Sequence, residues 1–88
     1  MQVKYHKQFE KDLEKYASPE LIREIFTFVE VLEGISSLHD VGNIKKLAGF
    51  KEFYRYRIGE YRLGFRLLGS TIQLDRFLHR KDIYKKYP

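Results

Sequence analysis

Arginines recur at short, even spacings in the C-terminal half of this sequence, within segments that have the composition of β-strands. Three pairs share this spacing: Arg55 with Arg57, Arg62 with Arg66, and Arg76 with Arg80. Successive strand residues point to opposite faces of a sheet, so the members of each pair are expected to share a face. Guanidinium groups on one face repel each other unless an anion lies between them. The pattern therefore predicts a surface that binds a polyanion, followed by a basic tail that contains Tyr84.

The net charge of +5 is distributed unevenly along the chain. Residues 1–43 carry five Lys and Arg against eight Asp and Glu, a balance of −3, whereas residues 44–88 carry twelve against four, a balance of +8. A basic half of this kind favours nucleic acid, an acidic protein or an anionic membrane surface as a partner. The membrane is the weakest of the three, because the arginines occupy strand-like sequence and not one face of an amphipathic helix.

Length and composition indicate one small globular domain over residues 1–88, of which 43% are hydrophobic. The sequence has no cysteine, no apolar run long enough to span a membrane and no secretion signal at its start, which predicts a cytoplasmic protein. The three histidines, His6, His39 and His79, lack the spacing of metal ligands, so neither a metal nor another cofactor is predicted.

Two amphipathic helices are predicted ahead of the basic half. The first covers residues 6–16, in which apolar residues recur at helical spacing among Lys, Glu and Asp. The second begins after Ser18, whose hydroxyl can cap free amides, with Pro19 at its first position, and it ends at Gly34. Its buried stripe is predicted to contain Leu21, Ile25, Phe28, Val29 and Leu32, widened by Ile22 and Phe26.

Strands are predicted on both sides of the helices. They cover residues 1–5, 44–47, 52–58, 61–68 and 71–78, with two-residue hairpin turns at Gly59-Glu60 and Gly69-Ser70. The order β-α-α-β-β-β predicts an α+β fold, in which two N-terminal helices pack on one face of a mostly antiparallel sheet of three to four strands. Alternation turns the apolar residues of the last strands toward the helices and leaves the arginine face open for function.

Three segments of the basic half carry a further signal through their order and spacing. They are Lys46-Leu47-Ala48-Gly49, then Phe53-Tyr54-Arg55-Tyr56-Arg57-Ile58-Gly59-Glu60-Tyr61-Arg62-Leu63, and finally His79-Arg80-Lys81-Asp82-Ile83-Tyr84. Together they resemble the RelE/ParE superfamily of bacterial and archaeal type II toxins, and the resemblance spans essentially the whole chain. It implies the RelE-like branch, whose members are endoribonucleases that cut mRNA in the ribosomal A site and are silenced by an antitoxin encoded beside them.

The resemblance also implies roles for particular residues. They are Arg62, Arg80 and Tyr84 as the catalytic set, with Arg55 and Arg57 as the basic pair that binds substrate. Arg66, from the arginine face, and Lys81, from the basic tail, complete the predicted substrate-binding set. Relatives commonly carry lysine at the positions of Arg55 and Arg57, where arginine still binds phosphate but exchanges a proton less readily. The implied partners are mRNA, the ribosome and an acidic antitoxin, with which the chain forms a hetero-oligomer.

These residue types suit metal-independent cleavage of RNA that leaves a 2′,3′-cyclic phosphate and a 5′-hydroxyl. The 2′-hydroxyl must lose a proton, the phosphate must be stabilised as it gains charge, and the leaving 5′-oxygen must be protonated. A phenol among cations suits the first task, which favours Tyr84, with Tyr87 as the alternative. Arg80 is preferred for the third task, because strand alternation turns His79, the second choice, away from the arginine face.

Two other functions are compatible with this sequence. A ParE-like toxin shares the fold but poisons DNA gyrase and cuts no RNA. A passive RNA-binding module would use the same arginines only to hold phosphates, with a strong dependence of binding on salt.

Overall fold

The computed structural model describes residues 1–88. The two predicted helices begin and end close to their predicted positions, whereas a third helix, near the C-terminus, was not predicted. The helices are α1 (Lys7–Tyr16), α2 (Pro19–Gly34) and α3 (Arg80–Lys86), with one short 3-10 turn at Leu38–Asp40. The strands are β1 (Gln2–Tyr5), β2 (Ile44–Lys46), β3 (Phe53–Ile58), β4 (Tyr61–Leu68) and β5 (Thr71–His79). None of the helices is both long enough and apolar enough to cross a membrane.

Helix α2 forms for the reasons that its sequence suggests. The Ser18 hydroxyl accepts a 3.2 Å hydrogen bond from the Leu21 amide, and Pro19 occupies the first turn, where its missing N–H is not needed. The buried face of α2 consists of Ile25, Phe28, Val29 and Leu32. The prediction that Phe26 widens this face is wrong, because Phe26 is 59% exposed.

The α+β prediction is confirmed, but the sheet is larger than predicted. All five predicted strand segments join it, in the order β1-β5-β4-β3-β2, whereas three to four strands were expected in the sheet. The four later strands pair antiparallel, whereas β1 pairs parallel to β5, with Val3 opposite Ile72. The sequence did not reveal the parallel pair, because the partner of β1 lies at the other end of the chain and no local turn connects the two strands.

Two-residue turns fix the register of the three longest strands. Ile58 pairs with Tyr61 and Leu68 pairs with Thr71. The first residue of each turn, Gly59 or Gly69, has a positive φ, at 59° and 64° respectively. This conformation is one that hairpin turns require and that glycine adopts without strain, so the two predicted hairpins are confirmed.

A bulge in β5 changes which way its charged residues point. Phe65 pairs with Leu74 and Gly64 pairs with Arg76, so Asp75 is an extra residue between the two pairs. Arg76 consequently reaches α1, where its Nε lies 2.8 Å from a carboxylate oxygen of Asp12. Arg80 lies in α3, beyond the strand. The prediction that Arg76 and Arg80 share a strand face is therefore wrong, because β5 ends at His79 and strand alternation does not continue into α3.

Helices α1 and α2 cover one face of the sheet over the main core. That core consists of Phe9, Ile25, Phe28, Val29, Leu32, Ile58, Leu63, Phe65, Ile72, Leu74 and Phe77. The opposite face of the sheet was expected to be open, but it is partly covered. Helix α3 packs on part of it through a second, smaller cluster of Leu78, Ile83 and Tyr87.

Candidate functional site

Strands β3 and β4 and helix α3 bring together residues from both predicted functional sets. Arg55 and Arg57 of β3, Arg62 of β4 and Tyr84 of α3 line one cavity of about 290 Å³. Arg57 lies directly opposite Arg62 across the antiparallel strand pair. Like charges in that position destabilise a sheet, so the arrangement favours an anion between them.

A second cavity of about 420 Å³ continues the first and adds Arg80. The two cavities share Asn43, Arg57 and Arg62, so they form one groove along the end of the β3–β4 hairpin. We call the set Arg55, Arg57, Arg62, Arg80 and Tyr84 the arginine site. All three residues predicted as catalytic lie in it, together with two of the four predicted to bind substrate.

Arg62 is held in place by the turn that precedes it. Its Nη1 donates to the carbonyl oxygens of Gly59, at 3.0 Å, and Tyr61, at 2.8 Å. Burial lowers the pKa of the Arg62 guanidinium, and the nearby positive charges of Arg57, Arg55 and Arg80 act in the same direction, against the opposing effect of Tyr84. Arg62 thus interacts electrostatically with every other member of the arginine site.

Arg55 lies over the ring of Tyr84. Its guanidinium carbon is 4.4 Å from the ring centroid, within the range of a cation–π contact. Tyr84 is 64% exposed and its hydroxyl makes no hydrogen bond within the protein. The phenol is therefore free to contact a ligand beside a cation that neutralises developing negative charge.

The loop and strand on the other side of Arg55 supply residues that the sequence analysis missed. Asn43 adopts a left-handed backbone with φ of 63°, and its Oδ1 accepts a 3.4 Å hydrogen bond from Arg57 Nη2. Lys45 pairs with Arg55 across β2 and β3 and lines the first cavity. The apolar side chain of Ile44 packs against the main core. Strand alternation therefore places Lys45 on the opposite face, beside the arginines, and the sequence already contained this signal.

Arg80 differs from the other arginines of the site because it has a carboxylate partner. Its Nε lies 2.8 Å from Glu60, the second residue of the β3–β4 turn, and both side chains are more than half exposed. Exposed ion pairs of this kind contribute little, roughly 0 to 1 kcal/mol. An incoming phosphate can therefore replace Glu60 at a small cost.

Arg66 and Tyr87 lie away from the arginine site. Arg66 Nε donates to Asp75 at 2.8 Å, and the Tyr87 hydroxyl donates to the same carboxylate at 2.7 Å. Tyr87 is only 7% exposed. Arg66 was expected among the substrate contacts and Tyr87 as the alternative phenol, but one is paired with a buried acid and the other is buried. We therefore exclude both from the candidate site.

His79 and Lys81 also lie outside the two cavities. His79 precedes α3 and caps it, because its Nδ1 accepts a 3.2 Å hydrogen bond from the Lys81 amide. The imidazole also lies edge-on to the Tyr61 ring, at 5.6 Å between centroids. Lys81 is exposed on the first turn of α3. The structure does not bring these two residues to the arginine site.

No group of three or more His, Cys, Asp or Glu side chains is close enough to hold a metal ion. The charged side chains of the site are cations, which suit a phosphate and not a metal. What the arrangement can do chemically is bind a phosphodiester between guanidinium groups with a phenol alongside.

Comparison with known proteins gives a consistent result. Residues 3–84 match the family model described as ParE toxin of type II toxin-antitoxin system, parDE. The curated protein Toxin RelE3 of Methanocaldococcus jannaschii is 39% identical over 89 residues, and the match covers 100% of both chains.

Solved structures with the same fold include two toxin–antitoxin complexes from archaea. One chain of the RelB-RelE antitoxin-toxin complex from Methanococcus jannaschii is 36% identical to this protein, with a TM-score of 0.82 over 97% of this chain and 99% of that chain. One chain of the RelE-RelB complex from Pyrococcus horikoshii OT3 is 26% identical to this protein, with a TM-score of 0.71 over 90% of this chain and 93% of that chain. The order of elements predicted from the sequence is thus one that these proteins share.

Proposed function

We propose, since this chain belongs to the ParE toxin family of type II toxin–antitoxin systems, that it is a RelE-like toxin whose arginine site cuts mRNA on the ribosome. The observation that carries the proposal is the exposed Tyr84 phenol beneath Arg55, in one groove with Arg62 and Arg80. The whole chain, residues 1–88, acts as the unit, and its action on ribosomes takes place in the cytoplasm.

The proposed reaction is an in-line transfer within the RNA strand. The Tyr84 phenol first releases its proton to water. The phenolate then takes the proton of the 2′-hydroxyl as the 2′-oxygen forms a bond to phosphorus and the bond to the 5′-oxygen breaks. Arg62, fixed by two carbonyl oxygens, stabilises the charge that gathers on the phosphate oxygens. The products are a 2′,3′-cyclic phosphate and a 5′-hydroxyl.

The leaving 5′-oxygen needs a proton, and Arg80 is the proposed source. It faces the same groove as Arg62, and its only protein partner is the exposed carboxylate of Glu60. The guanidinium regains its proton from water after the 5′-hydroxyl departs. His79 is less suitable, because its Nδ1 caps α3 and its ring lines neither cavity.

Arg55, Arg57 and Lys45 bind the RNA backbone in this proposal. They line the same cavity as Tyr84, and none of them has a carboxylate partner within salt-bridge distance. Three unpaired cations at one place bind successive phosphates without reading sequence. Cleavage specificity would then come from the ribosome-bound codon.

The experiment combines purified protein with ribosomes that hold a defined mRNA, and maps the cut and its end groups. We expect cleavage only when ribosomes are present, with 2′,3′-cyclic phosphate and 5′-hydroxyl ends. A chelator selective for transition metals should leave the rate unchanged, while Mg²⁺ is kept for the ribosome itself. Intact mRNA in the presence of active, programmed ribosomes would contradict the proposal.

A gyrase poison is the second candidate, because the family model that matches residues 3–84 is the ParE toxin. It predicts inhibition of DNA supercoiling by purified gyrase while ribosome-bound mRNA stays intact. The arginine site favours the nuclease, since poisoning gyrase needs no exposed phenol among phosphate-binding cations. A passive RNA-binding module would bind single-stranded RNA and yield no product in either assay.

We also propose that an acidic antitoxin segment binds this chain and folds on binding. Two of the relatives of known structure are complexes of RelE with RelB. The balance of +8 over residues 44–88 favours an acidic partner. Co-purification with a small acidic protein encoded beside this chain, and loss of cleavage in that complex, would support the proposal, whereas an unaffected cleavage rate would contradict it.

A further inference from the structure

A buried polar network lies beneath the last turn of α3, outside the arginine site. The Tyr87 hydroxyl donates a 2.7 Å hydrogen bond to Asp75 Oδ2. The same carboxylate accepts hydrogen bonds from Arg66 Nε at 2.8 Å and Arg66 Nη2 at 3.1 Å. Burial raises the pKa of Tyr87, and the hydrogen bond to Asp75 acts in the same direction, so the phenol stays protonated and continues to donate.

The Tyr87 ring lies directly on the backbone of β4. A Cβ atom added at Gly64 would be 2.7 Å from two carbons of this ring, a distance that no folded protein accepts without movement. Phe53 closes one side of the ring, with 5.6 Å between centroids. Gly64 therefore allows the approach of Tyr87 that places its hydroxyl on the bulged Asp75.

Helix α3 has few other means to hold its position. It contains seven residues, fewer than a helix needs to be stable by itself in water. Tyr84 is 64% exposed, so the proposed proton acceptor contributes little to packing. The buried residues of α3 and its C-cap are Ile83 and Tyr87, next to Tyr84 and one turn beyond it.

We propose that Tyr87, Asp75 and Gly64 are positioning residues for the catalytic phenol: together they fasten α3 to the sheet and so hold Tyr84 beneath Arg55. The inference builds on the proposed nuclease function and names residues that the reaction itself does not touch. Arg66 takes part by donating two hydrogen bonds to Asp75, which hold in place the carboxylate that accepts from Tyr87.

The first test measures the position of Tyr84 without using activity. Tyr87→Phe keeps the ring and removes only the hydroxyl that reaches Asp75. We expect amide hydrogen exchange in α3 to rise about ten-fold or more, because a hydrogen bond to a charged group is lost. In NMR spectra, the ring-current shift of the Arg55 side-chain protons should shrink, because Tyr84 no longer stays beneath them.

Tyr54→Phe is the matched control, because Tyr54 is a half-buried tyrosine on the other face of the sheet whose hydroxyl makes no hydrogen bond in the protein. It should leave α3 exchange and the Arg55 shifts as in the wild type. Unchanged exchange and shifts in Tyr87→Phe would overturn the inference. A rise spread equally over α3 and the β4 amides would also overturn it, since that result indicates global loss of stability.

The second test asks whether position controls cleavage. Tyr87→Phe should lower kcat on ribosome-bound mRNA about 10- to 100-fold with KM unchanged, because a misplaced group slows the chemical step and not binding. Gly64→Ala, which displaces the same ring, should give the same kinetic pattern. A wild-type kcat in Tyr87→Phe would overturn the positioning role. A lower kcat/KM that results only from a higher KM would also overturn it.

Failure of this inference is distinguishable from failure of the proposed function. If wild-type protein does not cut ribosome-bound mRNA, the nuclease proposal fails. The exchange and ring-current measurements still decide whether Tyr87 holds Tyr84 beneath Arg55.

Discussion

Arg55 and Tyr84 meet on the face of the sheet that α3 packs against, with the guanidinium carbon 4.4 Å from the centre of the phenol ring. The contact joins the middle of β3 to the exposed side of α3. A cation–π contact at an exposed site contributes about 0.5–1 kcal/mol, which is too little to place α3 by itself. The contact is therefore a consequence of the position of α3, and the packing beneath the helix determines that position.

Tyr84→Phe tests the proposed chemistry. The variant keeps the ring beneath Arg55 but cannot accept a proton, so we expect single-turnover cleavage of ribosome-bound mRNA to slow by about 10²- to 10⁴-fold. Tyr84 is 64% exposed and its hydroxyl has no protein partner, so thermal unfolding should not change. Tyr54→Phe serves as the control, and a wild-type cleavage rate in Tyr84→Phe would remove the phenol from the mechanism.

Arg62 is expected to act on the transition state more than on binding. Replacing it with alanine should lower kcat by about 10²- to 10³-fold, the usual cost of losing one preorganised donor. Arg62→Lys should recover only part of the rate, because lysine keeps the charge but not the planar fork that the two carbonyl oxygens orient. Arg23→Ala, at an exposed arginine on α2, is the matched control. Equal rates in Arg62→Ala and the control would contradict the assignment.

Lys45 is expected to bind a phosphate of the RNA backbone. Affinity for a non-cleavable 2′-O-methyl RNA should fall with salt along a log-log slope of about −0.7 per phosphate contact, or roughly −3 for four contacts. Lys45→Ala should make this slope shallower by about 0.7. Lys11→Ala, which removes an exposed lysine from α1, should leave the slope unchanged. Identical slopes for the two variants would place Lys45 outside the RNA path.

Asp12 is expected to make stability depend on pH. Burial acts to raise the pKa of Asp12, but hydrogen bonds from Arg76, the Phe77 amide and Gln8 outweigh it and hold the pKa below its ordinary value. A carboxyl whose pKa is lowered by folding adds stability above its unfolded pKa of about 3.9, and this contribution is lost as the pH falls through the lower folded value.

Asp12→Asn should accordingly lower the free energy of unfolding at pH 7 by about 1–3 kcal/mol. The difference from wild type should shrink as the pH falls from about 4 toward 2, where the wild-type carboxyl also becomes neutral. Urea denaturation at a series of pH values measures this, with Glu14→Gln, at an exposed carboxylate of the same helix, as the control. A difference that stays constant over the whole pH range would show that the charge of Asp12 is not the cause.

Much of the arginine site was predictable from local spacing. Arg55, Arg57 and Arg62 share a face because two-residue alternation holds on both strands of a tight hairpin. The environment of Arg66 was not predictable, because its partner Asp75 is the bulged residue of a neighbouring strand. A bulge depends on how two strands pair, and the sequence of one strand does not contain that information.

The amino-acid sequence by itself determined the first two helices, the hairpins and the faces of β3 and β4, because periodicity, capping residues and turn glycines act over a few neighbouring positions. Tertiary structure alone decided that β1 pairs with β5, that Tyr87 is buried while Tyr84 is exposed, and that Glu60 faces Arg80. Each of these depends on contacts between distant segments, whose free energy is set by packing and burial in the folded molecule and not by local preference.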